Sequence, residues 1–199
     1  ISDWVFCEVA AQAVRWRSLY HADFQISINV SPVLFQSKAD YSDWFGELER
    51  LGLPGNALVI EITEGVLLVS SQHVMTQLAE FHRRGMEIAL DDFGTGYSGL
   101  SYLHDLHIDY IKIDHSFVGR VNADPESTRI LDCVLDLARK LSISIVAEGV
   151  ETKEQLDYLN QNNITFQQGY YFYKPVTYID LVGNDSNLLI VFYVQIMPD

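Results

Sequence analysis

The sequence predicts an α/β fold, a parallel sheet with its helices outside, and three observations lead there. Short apolar, β-branched runs alternate with segments of helical periodicity along the middle of the chain. No Pro/Gly/Ser-rich linker or block of like charge interrupts that alternation, so one domain accounts for it. Finally, 199 residues with 48% hydrophobic and 12% aromatic content suffice for one domain with a real core and exclude general disorder.

Residues 3–19 read as a helix with no strand before it. Strand candidates follow at 26–30, 58–64, 87–92, 110–114, 144–148 and 165–168, each with Ile, Val, Leu or aromatic residues and a polar residue at or near its end. Between them, 42–51 stops at Gly52 and 71–84 stops at Gly85, the residue type expected just past a helix end. The segment 126–141 places Ile130, Val134, Leu137 and Leu141 at helical spacing. The segment 152–160 opens with Thr152 three residues before Gln155, a capping-box arrangement. About six βα units suit either an open doubly wound sheet or a barrel, and a full barrel would need roughly two more strands.

Asp and Glu total 27 against 13 Lys and Arg, giving a formal charge of -14 and a pI near 4.6. That balance excludes nucleic-acid binding through phosphate neutralisation and electrostatic docking on anionic membranes. An anionic substrate stays compatible where a bound cation reverses the local sign. Cys7 and Cys133 lie in helix-like apolar contexts without CxxC spacing and read as reduced core residues, which suits a cytoplasmic location. No signal peptide opens the sequence, and the longest apolar run, 188–197, is too short to span a bilayer as a helix, so no membrane insertion is expected.

Each strand candidate delivers a polar or charged group near its C-terminal end: Asn29, Glu61, Asp91 with Asp92, Lys112, Glu148 and Gln168. Sites of α/β proteins are built at that end of the sheet. Any one of these residues alone is explained as a turn former or helix cap. The whole series describes a ring of oxygen ligands with one cation. Asn29, Glu61, Asp91 and Asp92 are hard donors suited to Mg²⁺ or Mn²⁺ rather than Zn²⁺ or copper. Asp91 and Asp92 would point to opposite sides of a regular strand. At a turning strand end they can serve two ions about 3.5–4 Å apart, the spacing of a two-metal phosphoryl-transfer site. Lys112 would steady a phosphate oxygen, and Glu148 would accept a proton from water.

Other signals are weaker. Gly94 to Gly99 spells GxGxxG, but the Asp pair before it would repel a pyrophosphate. Asp92-Phe93-Gly94 has no HRD loop before it and no VAIK lysine. His104 and His107 are three apart and could share a helical face, but no third ligand is near them in sequence, and no GxSxG or Cys/His nucleophile signature occurs.

The ordered motifs Ile28-Asn29-Val30-Ser31, Glu61-Ile62-Thr63-Glu64, the Asp91–Ser98 segment beginning Asp-Asp-Phe-Gly, the Lys112–Val118 segment, Ala147-Glu148-Gly149-Val150-Glu151-Thr152 and Gln168-Gly169-Tyr170 resemble the EAL family of bacterial cyclic di-GMP phosphodiesterases. The resemblance covers Trp4 to about Pro175. It implies a modified TIM (β/α)8 barrel, here incomplete, that opens cyclic di-GMP to linear pGpG with two Mg²⁺ or Mn²⁺ ions. By position it makes Asn29, Glu61, Asp91 and Asp92 metal ligands, Lys112 the lysine beside the attacking water, and Glu148 the general base or metal neighbour. Gln168 and Asp114 become substrate-binding residues, and Glu64 the anchor of the loop from Phe93 to Leu100.

No Glu-Ala-Leu tripeptide occurs in the chain. The resemblance places it on a first strand before the Trp4 helix, with its Glu as a further metal ligand. The expectation is therefore a barrel starting inside the domain, with its first strand missing and its activity impaired. The alternative is a catalytically silent module that binds cyclic di-GMP or a protein. Residues 1–178 are expected to form the partial EAL domain, and 179–199 a divergent apolar tail packed on the same domain or on a partner, covering part of the gap. A homodimer is expected, as is a sensory or GGDEF domain upstream in a longer bacterial signalling protein.

Overall fold

The computed structural model describes residues 2–36, 41–68, 72–94, 103, 106–121, 124–172, 174 and 192–194. In chain order the elements are α1 (Ser2–Leu19), β1 (Ile26–Asn29), α2 (Pro32–Gln36), α3 (Ser42–Leu51), β2 (Leu58–Thr63), α4 (Glu64–Leu68), α5 (Gln72–Arg83) and β3 (Glu87–Phe93). Then come β4 (Tyr110–Ile113), α6 (His115–Val118), α7 (Pro125–Leu141), β5 (Ser144–Ala147), α8 (Lys153–Gln161), β6 (Phe166–Gln167) and β7 (Phe192–Val194). They form two compact units: Ile1–Asp91 with Gly96–Asp109 and Val191–Asp199, and Asp92–Thr95 with Tyr110–Ile190.

In the first unit β1 lies between β7 and β2, and β2 pairs with β3, every pair parallel. In the second unit β4, β5 and β6 pair in sequence, again parallel. Parallel pairing is what the alternation of strand and helix predicts. The strands are short, and β2 is buried from Leu58 to Ile62 without a break, as expected for a strand covered on both faces. An aromatic cluster fills the helical side of the first unit. Phe6 stacks on Trp44 at 4.3 Å, and the Trp44 indole N–H donates to Asp3 Oδ1 at 2.8 Å. Phe81 of α5 meets Tyr41, Phe45, Trp44 and Phe35 with ring centroids 4.9–6.3 Å away.

Helix boundaries follow their caps. Asp124 accepts from the Glu126 and Ser127 amides at the start of α7, with Pro125 in the first turn. At α8 the box is complete: Thr152 Oγ1 accepts from the Gln155 amide, and Gln155 Oε1 accepts from the Thr152 amide. Thr152→Ala should therefore cost about 1 kcal/mol, lowering the melting temperature by about 3 °C. An unchanged melting curve would count against the cap.

Two expectations are corrected. Cys7 and Cys133 are free thiols but exposed. Helix α1 buries Val5, Phe6, Val9, Ala10, Ala13 and Trp16, a stripe that passes Cys7 by. Helix α7 buries Ser127, Leu131, Leu135 and Ala138, which leaves Cys133 on the far side and Ile130 47% exposed. The buried stripe of α7 thus runs one residue later than the Ile130–Val134–Leu137–Leu141 series suggests. Small Ser127 and Ala138 serve it because they let the helix approach its sheet closely.

From the tail, β7 adds to β1 with Ile26 opposite Phe192 and Ile28 opposite Val194. Deleting residues 187–199 should lower the melting temperature and the solubility, because a strand edge loses its hydrogen-bonded cover. Calorimetry and sedimentation of the shortened chain check this. No helix among the described residues is long and apolar enough to cross a membrane.

Candidate active site

The strand registers decide which side chains share a face. In the first unit Asn29 lies opposite Glu61, and Glu61 opposite Ala89. In-register residues of parallel strands project to the same side, and so do residues two apart along a strand. Asn29, Glu61 and Asp91 therefore stand on one face, Asp91 one step nearer the C-terminal end. Glu61 is almost fully buried, at 1% exposure. A carboxylate so placed needs cationic or hydrogen-bonding company.

The second unit repeats the arrangement. Lys112 lies opposite Val146, and Val146 opposite Phe166. Beyond the assigned strands the ladder continues, with the Glu148 amide donating to Ile113 O at 3.1 Å and the Gln168 amide to Ala147 O at 2.8 Å. Lys112, Glu148 and Gln168 thus share a face. The buried Lys112 Nζ lies 2.8 Å from Glu148 Oε1. Gln168 keeps a buried Oε1 with no hydrogen-bond partner among the described residues.

Asp92 departs from strand geometry. Its φ of 55° is in the left-handed region, which Asp tolerates better than most residues because its short side chain bonds locally. This backbone turn breaks the strict alternation that would send Asp91 and Asp92 to opposite sides. Asp92 and Glu148 offer carboxylate oxygens within 4.8 Å of each other.

Asp114 begins α6. Its Oδ1 accepts from the Ser116 amide at 3.0 Å, and its Oδ2 pairs with His115 Nδ1 at 2.8 Å. Burial alone would raise its carboxyl, but the bonds from Ser116 and His115 outweigh that and hold it below the usual carboxylate range. Glu64 is buried at the first position of α4. Of the loop it is expected to anchor, Phe93 to Leu100, residues 95–100 lie outside the described residues, as does most of the GxGxxG segment.

Sequence reasoning gave Lys112 and Glu148 separate tasks and missed that they pair. The signal was present: each lies near the C-terminal end of its strand, and the strands are consecutive. Carboxylate oxygens suit a hard divalent ion, and Asp92 with Glu148 gathers two such donors.

The EAL domain family model matches residues 1–175. The probable cyclic di-GMP phosphodiesterase PdeG of Escherichia coli (strain K12) is 64% identical over 181 residues, which cover 88% of this chain and 34% of the relative. Among solved structures, the PaMucR phosphodiesterase in complex with c-di-GMP superimposes with a TM-score of 0.84 at 32% identity, covering 90% of this chain and 72% of that one. A manganese/cyclic di-GMP complex of Klebsiella pneumoniae BlrP1 gives 0.73 at 30% identity, covering 85% and 44%. The chain spans about a third of the length of the curated relative PdeG. The fold is the α/β architecture of EAL domains, as the ordered motifs imply. With a family model covering residues 1–175, the chain belongs to the EAL domain family.

Proposed function

We propose that the chain hydrolyses cyclic di-GMP to linear pGpG with divalent ions, Mg²⁺ or Mn²⁺, held by Asn29, Glu61, Asp91 and Asp92. The observation that carries this reading is the approach of the Asp92 and Glu148 carboxylates to within 4.8 Å. The cyclic di-GMP complexes of PaMucR and BlrP1, the latter with manganese, support it. Bound ions would neutralise the phosphodiester and stabilise the attacking and leaving oxygens of an in-line displacement.

The protein's own groups do the rest. Glu148 takes the proton from the attacking water at a carboxylate oxygen. Lys112, held 2.8 Å from Glu148 Oε1, orients that carboxylate and directs positive charge at the anionic substrate. Gln168 has an amide oxygen to offer a guanine or ribose donor. Asp114 fixes the turn into α6 and lines the substrate side of that loop, and Glu64 anchors the loop after the Asp pair. A second copy of the chain and a sensory or GGDEF domain are the proposed protein partners.

The test is cyclic di-GMP turnover with Mg²⁺ or Mn²⁺, read by chromatographic separation of products, with Glu148→Ala as the control for contaminating enzyme. Linear pGpG that vanishes in the control is expected. Binding without turnover would make the chain a silent cyclic di-GMP module. Neither binding nor turnover would overturn the reading.

A further inference from the structure

We propose that the short helix α6 is a spacer that sets the distance between Asp92 and Glu148, with Phe117 and His115 as its positioning residues. The inference rests on the assignment of those two carboxylates to the active site.

Each carboxylate is followed within two residues by a glycine pressed against α6. Gly94, two residues after Asp92, has φ 94°, and a Cβ there would lie 2.9 Å from Cε2 and Cζ of Phe117. Gly149, next to Glu148, has φ 69°, and a Cβ there would lie 2.4 Å from His115 Cβ and 3.1 Å from His115 Cα. Real Cβ atoms do not approach so closely, so both backbones use the room that only glycine leaves. Residues two apart on a helix point about 200° from each other. His115 and Phe117 therefore face opposite ways, one against the Glu148 loop and the other against the Asp92 loop.

The spacer is itself held firmly. Asp114 caps it, the Gly119 amide donates to His115 O at 2.7 Å, and Val118 is fully buried. The bond from the Glu148 amide to Ile113 O, 3.1 Å long, ties the far loop to the strand that feeds α6. On this geometry the width of the Phe117 ring, rather than any contact between the carboxylates, keeps Asp92 at its distance from Glu148. Shrinking the ring lets residues 92–94 settle toward α6 and draws Asp92 away from its position.

The test reads that distance without metal or turnover. In a Cys7→Ser, Cys133→Ser background, Asp92→Cys and Glu148→Cys are bridged by a short bis-methanethiosulfonate reagent, and the bridging rate is measured. Phe117→Ala is expected to slow bridging roughly tenfold, since small misplacements cost large factors in effective concentration. Phe117→Leu should recover most of the rate. Leu131→Ala, a fully buried position on α7, controls for general loosening and should leave the rate within about twofold. Calorimetric titration of Mn²⁺ into the chain with Asp92 and Glu148 intact should show weaker binding after Phe117→Ala. Bridging unaffected by Phe117→Ala, equal slowing by Leu131→Ala, or no bridging in the parent would each overturn the proposal. A chain that fails to hydrolyse cyclic di-GMP leaves the bridging result standing, so the two readings fail separately.

Discussion

Glu148→Gln is expected to lower cyclic di-GMP hydrolysis by roughly a thousandfold, about 4 kcal/mol of transition-state stabilisation. Glutamine keeps the volume and can still accept a hydrogen bond from Lys112 Nζ, 2.8 Å from the native carboxylate. It cannot take a proton from water or lend a charged oxygen to a cation. The effect should fall mainly on kcat, because the group acts on the reacting water rather than on the bases of the substrate. Stability should fall too, by about 2 kcal/mol, since the buried ammonium of Lys112 loses a charged partner. Steady-state kinetics with urea denaturation of the same preparation separates the two. A variant that keeps a tenth of the parental kcat would remove Glu148 from the chemistry.

Phe81→Ala carries the largest expected loss of stability, about 4 kcal/mol and a melting temperature about 10 °C lower. Phe81 is fully buried. Its ring meets four others, from Phe35, Tyr41, Trp44 and Phe45. Alanine leaves a void among rigid aromatics that cannot collapse, because Tyr41 is wedged against Phe35 and Trp44, and Phe45 lies under the Arg84 guanidinium. Phe81→Leu, which keeps most of the volume, should recover more than half. Scanning calorimetry checks both, and a fall of less than 3 °C for alanine would mean the cluster repacks.

Much of this was legible in the sequence because strand polarity and helix capping are local. The Asn29, Glu61, Lys112, Glu148 and Gln168 positions stood out as polar residues ending apolar runs, and strand pairing places them as that pattern implies. Thr152 and Gln155 declared their box through spacing alone. What escaped depends on neighbours distant in the chain. Cys133 and Ile130 look like core residues until the docked face of α7 is known. The turn at Asp92 has no marker in an Asp-Asp pair, since either residue could take an extended conformation. Phe117 reads as an ordinary apolar residue of a short helix. Only the contact with Gly94 gives it a task.

The pairing of β7 with β1 bears on how the chain comes off the ribosome. Ile26 and Phe192 are separated by nearly the whole sequence, and closing so long a loop is slow and entropically opposed. During synthesis the β7 side of β1 waits for its described partner until residues 192–194 have emerged. Through that interval the hydrogen bonds that β7 supplies to β1 are unmade, and unfinished pairing of this kind marks the intermediates that chaperones attend. Yield of folded protein should therefore depend on translation speed through residues 192–194 more than on the stability of the finished domain.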